Sequence, residues 1–215
     1  MELRQASRFD EMQCVAKRAL DLVAGLLLLV VLALPMLAIA IALMLDSPGP
    51  VLFRQERVGF NGRSFTMLKF RTMHVDAEQR LGTLLDLRVD GDEPGNVVLF
   101  KMRVDPRVTR FGALLRRSSL DELPQLFNVL TGDMALVGPR PPLRSEVELY
   151  EEHVHRKFCV KPGITGLWQV SGRSNLSWDE SVRLDLHYAE HWSLTTDVVI
   201  LWRTFRAVIS GEGAY

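Results

Sequence analysis

The run LVAGLLLLVVLALPMLAIAIALML, residues 22–45, decides how the rest of the chain must be arranged. It contains no charged side chain and is long enough to enter or cross a bilayer. Pro35 sits near its middle. Lys17 and Arg18 stand just before it, and Arg54, Arg57, Arg63, Lys69 and Arg71 follow it. A straight spanning helix would leave one of these basic flanks outside, against the tendency of Lys and Arg near membrane ends to stay cytoplasmic. Proline removes a backbone hydrogen bond and clashes with the carbonyl four residues back. A re-entrant helix over residues 17–46, bent at Leu34–Pro35, keeps both flanks on one side and is the reading preferred here. A simple transmembrane anchor is the commoner use of such a segment and stands as its competitor. A signal peptide fits poorly, since the run is too long and no small-residue cleavage site follows Leu45. A buried soluble helix fits worse, because apolar residues line every face.

Working outward, residues 1–16 are mixed and polar and read as an interfacial lead-in. After Asp46-Ser47-Pro48-Gly49-Pro50, a turn, Val51–Phe53 and Ser64–Phe70 read as strands joined through Gly59-Phe60-Asn61-Gly62, whose Asn-Gly pair is hairpin chemistry. His74–Leu87 reads as a helix, 90–96 as a loop, Phe100–Arg107 as extended and Val108–Leu115 as helical. Trp178–Trp192 and Val198–Ile209 close the chain as helices. The last of these carries Trp202 beside Arg203 and Arg206, a pairing suited to a membrane interface and equally to a core helix. The expected class is α+β: a membrane re-entrant helix with a small cytoplasmic-face domain of several helices and a short β-hairpin. Residues 47–215 form the catalytic domain, with C-terminal interfacial helices.

The 26 basic and 26 acidic residues cancel, so nothing global points to nucleic acid. The basic residues cluster at 54–71, 101–117 and 140–173, beside Gly and Pro, as an anionic ligand or headgroups would require. Two cysteines, Cys14 and Cys159, make neither a metal set nor a disulfide framework, which fits a reducing compartment. His153/His155 and His187/His191 lack any HExxH companion, and a surface helix accounts for the second pair.

Chemistry concentrates in Arg116-Arg117-Ser118-Ser119-Leu120-Asp121-Glu122-Leu123-Pro124-Gln125. Ser119 and Glu122 have the spacing of a capping box. Leu123, Leu126, Phe127 and Leu130 then form an apolar face ended by Gly132. Pro124 would be the fifth helical residue under that cap. With Asp121 at or beside the helix start, Pro124 falls in the first turn, where its missing N–H costs nothing. There the helix dipole favours an ionised carboxylate, able to act as a nucleophile or to bind a hard cation. Adjacent carboxylates fit glycoside hydrolysis poorly, since that chemistry places two carboxyl groups about 5 to 9.5 Å apart across a bond. Pro139, Pro141 and Pro142 stiffen the loop around Arg140, which suits a phosphate or, equally, a structural salt bridge. The glycines of Lys161–Arg173 permit close backbone approach to a ligand.

These runs resemble one family, the monotopic phosphoglycosyl transferases, the bacterial sugar transferases that begin polysaccharide and glycoconjugate assembly. The matching residues are Lys17-Arg18-Ala19-Leu20-Asp21, Gly49–Gln55, Lys69-Phe70-Arg71-Thr72-Met73, Ser119–Gln125, Gly138-Pro139-Arg140-Pro141 and Lys161–Gly166. They run in family order from about residue 15 to the C-terminus, and Gly211–Tyr215 looks like the exopolysaccharide branch. The resemblance implies a monotopic protein on the cytoplasmic face of the bacterial inner membrane, among membrane lipids. It implies transfer of a sugar 1-phosphate from a UDP-sugar to polyprenyl (undecaprenyl) phosphate, giving UMP and a polyprenyl diphosphate sugar. The implied route is ping-pong, with Mg²⁺ as cofactor and a covalent aspartyl phosphosugar intermediate. By the same carry-over Asp121 is nucleophile and metal ligand, Glu122 supports the metal or the proton, and Arg116, Arg140 and Arg173 meet phosphate. A glucose or galactose donor is the guess from the exopolysaccharide-like ending, and the larger members suggest a homodimer. Two features depart from the pattern. Leu34 stands where small members often carry Ser before the bend proline. Residues 74–105 are as long as in the larger members, whose extra N-terminal membrane module this sequence lacks, so a naturally short or a cut form is expected. A membrane scaffold and a phosphatase using the same carboxylate are the competing functions.

Overall fold

The computed structural model describes residues 2–77, 105–172 and 176–210. A single helix, α1, runs Glu2–Asp46 and joins the expected lead-in to the apolar segment. Pro35 lies inside it, so any bend at Leu34–Pro35 takes no break in helical structure. The reason is visible in the packing. Arg18, Asp21, Gly25, Leu29, Leu32, Met36, Ile39 and Leu43 recur every three or four residues and meet the body of the protein on both sides of the proline. Leu34 is 79% exposed and lies with Leu26, Leu27, Val30, Val31, Leu37, Ile41 and Leu45 on the uncovered side. One stripe therefore holds protein while the other side remains apolar and bare, the division expected of a helix shared between a protein and lipid.

Two strands follow, β1 (Leu52–Val58) and β2 (Ser64–Phe70), antiparallel with Leu52 opposite Phe70 and Val58 opposite Ser64. The hairpin is the expected one; β1 extends to Val58 because the connecting turn starts only at Gly59. Asn61 takes φ 53° and Gly62 φ 72° to reverse the chain. Strand alternation puts Phe53, Gln55 and Arg57 on the same face as Phe65, Met67 and Lys69. Helix α2 (Arg110–Ser118) starts two residues later than expected. Val108 is instead bridged to Met73, and the Thr109 hydroxyl caps the helix at Gly112 N. Gly112 is required there, since a Cβ would lie 2.0 Å from the Thr72 carbonyl.

Helix α3 (Gln125–Thr131) ends at Gly132, φ 93°, as its sequence indicated. Strands β3 (Ala135–Val137) and β4 (Gly163–Thr165) pair in parallel, flanked by the short helices α4 (Arg144–Val147) and α5 (Leu167–Ser171). Helices α6 (Trp178–Glu190) and α7 (Leu194–Ser210) complete the body. Met67, Leu126, Val129, Met134, Leu136, Val137, Tyr188 and Ile200 form the main core, against which Ala24, Leu29 and Leu32 of α1 pack. The α+β class is as expected. The outer part of the expected 74–87 helix, the 90–96 loop, most of the expected extended run 100–107, Arg173 and the 211–215 ending lie outside the described residues.

Two glycines of the 161–173 run, Gly163 and Gly166, bring its backbone close to another loop. A Cβ on Gly163 would lie 2.0 Å from Gly138 N, one on Gly138 2.3 Å from the Lys161 carbonyl, and one on Gly166 2.2 Å from the Gly138 carbonyl. The two loops need glycine to pack on each other.

Candidate active site

Between α2 and α3 the chain makes a 3-10 turn, Leu120–Glu122. Ser119 enters it in the left-handed region, φ 57°, and its side chain caps nothing. Neither the capping box nor an Asp121 cap forms. Pro124 itself occupies the cap position of α3, which still makes its missing N–H costless. Leu120 and Leu123, on either side of the acidic pair, pack with Ile39, Leu43, Phe70 and Leu115. The dyad is thereby tied to the second half of α1.

Asp121 is buried, 9% exposed. Burial pushes its pKa up to about 6 and the neighbouring Glu122 adds to that, while Lys69 and Arg116 pull the other way. The dipole argument expected the opposite sign, but a three-residue turn offers too little dipole to offset desolvation. No described side chain hydrogen-bonds this carboxylate. At pH 7 it is mostly ionised and unspent. Glu122 is more exposed and accepts from Lys69 Nζ at 2.8 Å. Lys69 is delivered by β2, whose edge is fixed by Asn128. The Asn128 amide donates to the Thr66 carbonyl at 2.8 Å and its oxygen accepts from Leu68 N at 3.0 Å. Arg116 donates through Nε to Thr72 Oγ1 at 2.9 Å, and burial lowers its pKa.

Arg140 lies beside Arg57, which β1 carries on the same face of the hairpin as Lys69. Its terminal nitrogens face Glu146 at 3.2–3.3 Å, the salt bridge weighed as its alternative role, yet its side chain stays 28% exposed. Arg57 donates to the Pro141 carbonyl at 3.1 Å and to Gln55. Burial, with Arg140 acting the same way, pushes its pKa down to about 10. Glu122 and Glu146 both act on Arg57, so the arginine pair and the dyad share one electrostatic neighbourhood. Lys69, Arg57 and Glu146 were not singled out from sequence as site residues. Only their place beside recognisable motifs, Lys69 before Phe-Arg-Thr-Met and Glu146 just after Pro-Arg-Pro-Pro, pointed toward them.

Among the described residues no group of three His, Cys, Asp or Glu side chains is placed to hold a metal ion. His187, exposed on α6, and His191, just past its end, stack with ring centroids 4.5 Å apart, and Cys14 and Cys159 are free and exposed. Asp121 and Glu122 thus lie among Lys69, Arg116, Arg57 and Arg140, a surplus of positive charge chemically suited to a polyanion.

The chain matches the family model described as "Bacterial sugar transferase" over residues 12–211. It is 39% identical over 216 residues to the undecaprenyl-phosphate galactose phosphotransferase of Salmonella typhimurium, covering 99% of this chain and 43% of that protein. It is 40% identical over 214 residues to the UDP-glucose:undecaprenyl-phosphate glucose-1-phosphate transferase of Xanthomonas campestris pv. campestris, covering 96% and 41%. Against the exopolysaccharide production protein ExoY of Rhizobium meliloti the identity is 40% over 201 residues, covering 94% and 88%. The chain thus spans about two-fifths of the length of the first two and most of the third.

Proposed function

The chain belongs to the bacterial sugar transferase family, and on that premise we propose that it transfers a sugar 1-phosphate from a UDP-sugar to polyprenyl phosphate, beginning exopolysaccharide or glycoconjugate assembly. The observation that carries the reading is Asp121: buried, with no hydrogen-bonding side-chain partner among the described residues, its pKa raised to about 6, and set among cations. A carboxylate with that poise is a nucleophile rather than a structural ion.

The proposed reaction has two displacements. An Asp121 oxygen attacks the sugar-bearing phosphorus, the bond from that phosphorus to the bridging oxygen breaks, and UMP leaves with the oxygen. The resulting acyl phosphate carries the sugar. An oxygen of polyprenyl phosphate then attacks the same phosphorus and the Asp121 carboxylate is released. Such transfers ask a protein mainly for positioning and charge stabilisation. Lys69 and Arg116 stabilise the Asp121 anion and the incoming diphosphate, and Arg140 offers its exposed guanidinium edge to phosphate. Arg173 remains a phosphate contact proposed from the family pattern. The donor set suits Mg²⁺, since that ion takes one or two carboxylates and fills its remaining positions with water and substrate phosphates. Asp121 and Glu122 would hold it, and it would offset the diphosphate charge.

The contacts of α1 support a monotopic placement, and its basic flanks support the cytoplasmic face. Arg18 donates to the Val129 and Leu130 carbonyls near the start of the apolar stretch. Arg71 donates to Ser47 and Pro48 just past its end. About 28 residues, roughly 40 Å of helix, lie between two polar anchorages on one body. A straight crossing would drag that body, with its buried charges, through hydrocarbon. A bent, shallow insertion leaves the dyad, packed on Ile39 and Leu43, near the depth of a lipid phosphate.

The test is UMP release in nanodiscs containing undecaprenyl phosphate and Mg²⁺, with UDP-glucose and UDP-galactose supplied separately. Sugar-phosphate-loaded lipid and UMP in equal amounts are expected from one donor. Free sugar phosphate without lipid product would make the protein a phosphatase, and silence with every UDP-sugar would leave the scaffold.

A further inference from the structure

The residues around Arg140 form a closed arrangement that the reaction as described does not use. Glu146 is 3% exposed. Its carboxylate accepts from Leu143 N at 2.7 Å, from both terminal nitrogens of Arg140 at 3.2–3.3 Å, and lies 4.0 Å from Arg57 Nη1. Arg57 is itself buried, and its other donors are spent on Gln55 and the Pro141 carbonyl. One carboxylate thus stands between two guanidinium groups, both tied to the Pro-rich loop that carries Arg140. Without it, two like charges would face each other in a half-buried site. A buried anion shared in this way fixes its partners in place, because moving either cation leaves a charge uncompensated. The sum of the three groups is one positive charge, so the arrangement still attracts an anion. The open edge of Arg140 is where it can meet one.

We propose that Glu146 is a positioning residue for donor binding: it aligns Arg140 against Arg57 so that the exposed edge of Arg140 meets the diphosphate of the nucleotide sugar. This rests on the reading that Arg140 contacts that diphosphate. The geometry favours alignment over mere charge balance. Glu146 is held from below by the Leu143 N–H and presents both oxygens to Arg140, the two-point grip that fixes a guanidinium plane.

The test measures UDP and uridine binding by calorimetry to the full chain in nanodiscs, for wild type, Glu146→Gln and Arg140→Ala. Glutamine keeps an acceptor for Leu143 N and removes the charge, so the local turn survives. Glu146→Gln is expected to weaken UDP binding roughly tenfold, the scale of one lost charge-assisted contact, and to leave uridine binding unchanged. In turnover the same variant should raise the KM for the UDP-sugar with little change in kcat. A purely structural role would instead lower the fraction of binding-competent protein and weaken both ligands together. Unchanged UDP affinity in Glu146→Gln, with affinity lost in Arg140→Ala, would overturn the positioning role and leave the Arg140 contact standing. Unchanged affinity in Arg140→Ala would remove the contact on which the role rests. Should Glu146→Gln unfold, Arg57→Gln probes the same alignment from the other side. Weaker UDP with unchanged uridine would support it, and equal loss of both ligands would refute it.

Discussion

Two aspartates in this protein are buried to similar degrees and treated in opposite ways. Asp197, 1% exposed, accepts from Lys17 Nζ at 2.7 Å, from the Tyr188 hydroxyl at 2.7 Å and from Trp192 Nε1 at 3.2 Å. It joins α1, α6 and α7, and Lys17 goes on to donate to the Val137 carbonyl. Asp121, 9% exposed, has charges nearby and no side-chain hydrogen bond among the described residues, and burial raises its pKa to about 6. The first carboxylate is spent on the fold. The second is kept available at a cost on the order of 3 kcal/mol at neutral pH. The sign follows from linkage. Between about pH 4 and 6 the native state keeps a proton that the unfolded chain has released, so stability falls as pH rises through that window and is level above it.

The sharpest way to break the contrast is to neutralise each residue. Asp121→Asn should reduce UMP formation by at least ~10³-fold and yet raise the melting temperature, since it removes a penalised charge. A stable wild-type rate in this variant would dismiss Asp121 as nucleophile. Asp197→Asn should do the reverse. It takes the nearer of the two carboxylates from Lys17, leaving Asp21 at 3.7 Å, and lowers stability by ~2–4 kcal/mol, read as an earlier thermal transition, while the protein that remains folded turns over normally. A smaller effect is expected in the pH profile. The first displacement should gain rate as pH rises through about 6, where Asp121 ionises. Lys69 lowers that pKa, so Lys69→Met should move the acid limb upward by about one unit; a limb that stays put would separate Lys69 from Asp121. Smallest is Tyr188→Phe, which removes one of Asp197's three donors. It should cost ~1 kcal/mol by thermal unfolding and leave the pH profile where it was.

The same contrast marks how far the sequence could be read. Local chemistry was legible. The Asn61-Gly62 turn, the end of α3 at Gly132, the costless Pro124 and the apolar 22–45 run all follow from a few neighbouring residues. The acidic dyad and Arg140 were found as motifs, because Asp121-Glu122 and Pro-Arg-Pro are unusual runs. Pairings across the chain were not legible. Lys69 reaches Glu122 over 53 residues, Arg57 reaches the Pro141 carbonyl over 84, and Lys17 reaches Asp197 over 180. Lys17 and Arg18 read as a basic flank of a membrane segment. They and Asp21 are also fastened to Asp197, to the end of α3 and to Leu136 N, which no local reading shows. The sign of the Asp121 shift also escaped a local reading, because burial comes from the packing of the turn against Ile39, Leu43, Phe70 and Leu115, which are distant in sequence or outside the motif. The Gly138–Gly163–Gly166 contact shows the same limit: glycine spacing announces close approach and does not say to what.

The most direct test of the central claim is the intact mass of the protein in nanodiscs after mixing with Mg²⁺ and each of a panel of UDP-sugars, with lipid acceptor withheld. The expected result is an added mass of one sugar phosphate from one donor, absent in Asp121→Asn and discharged when polyprenyl phosphate is supplied. Turnover with acceptor present but no adduct at any time without it would contradict a covalent aspartyl intermediate and put direct transfer between the two bound substrates in its place.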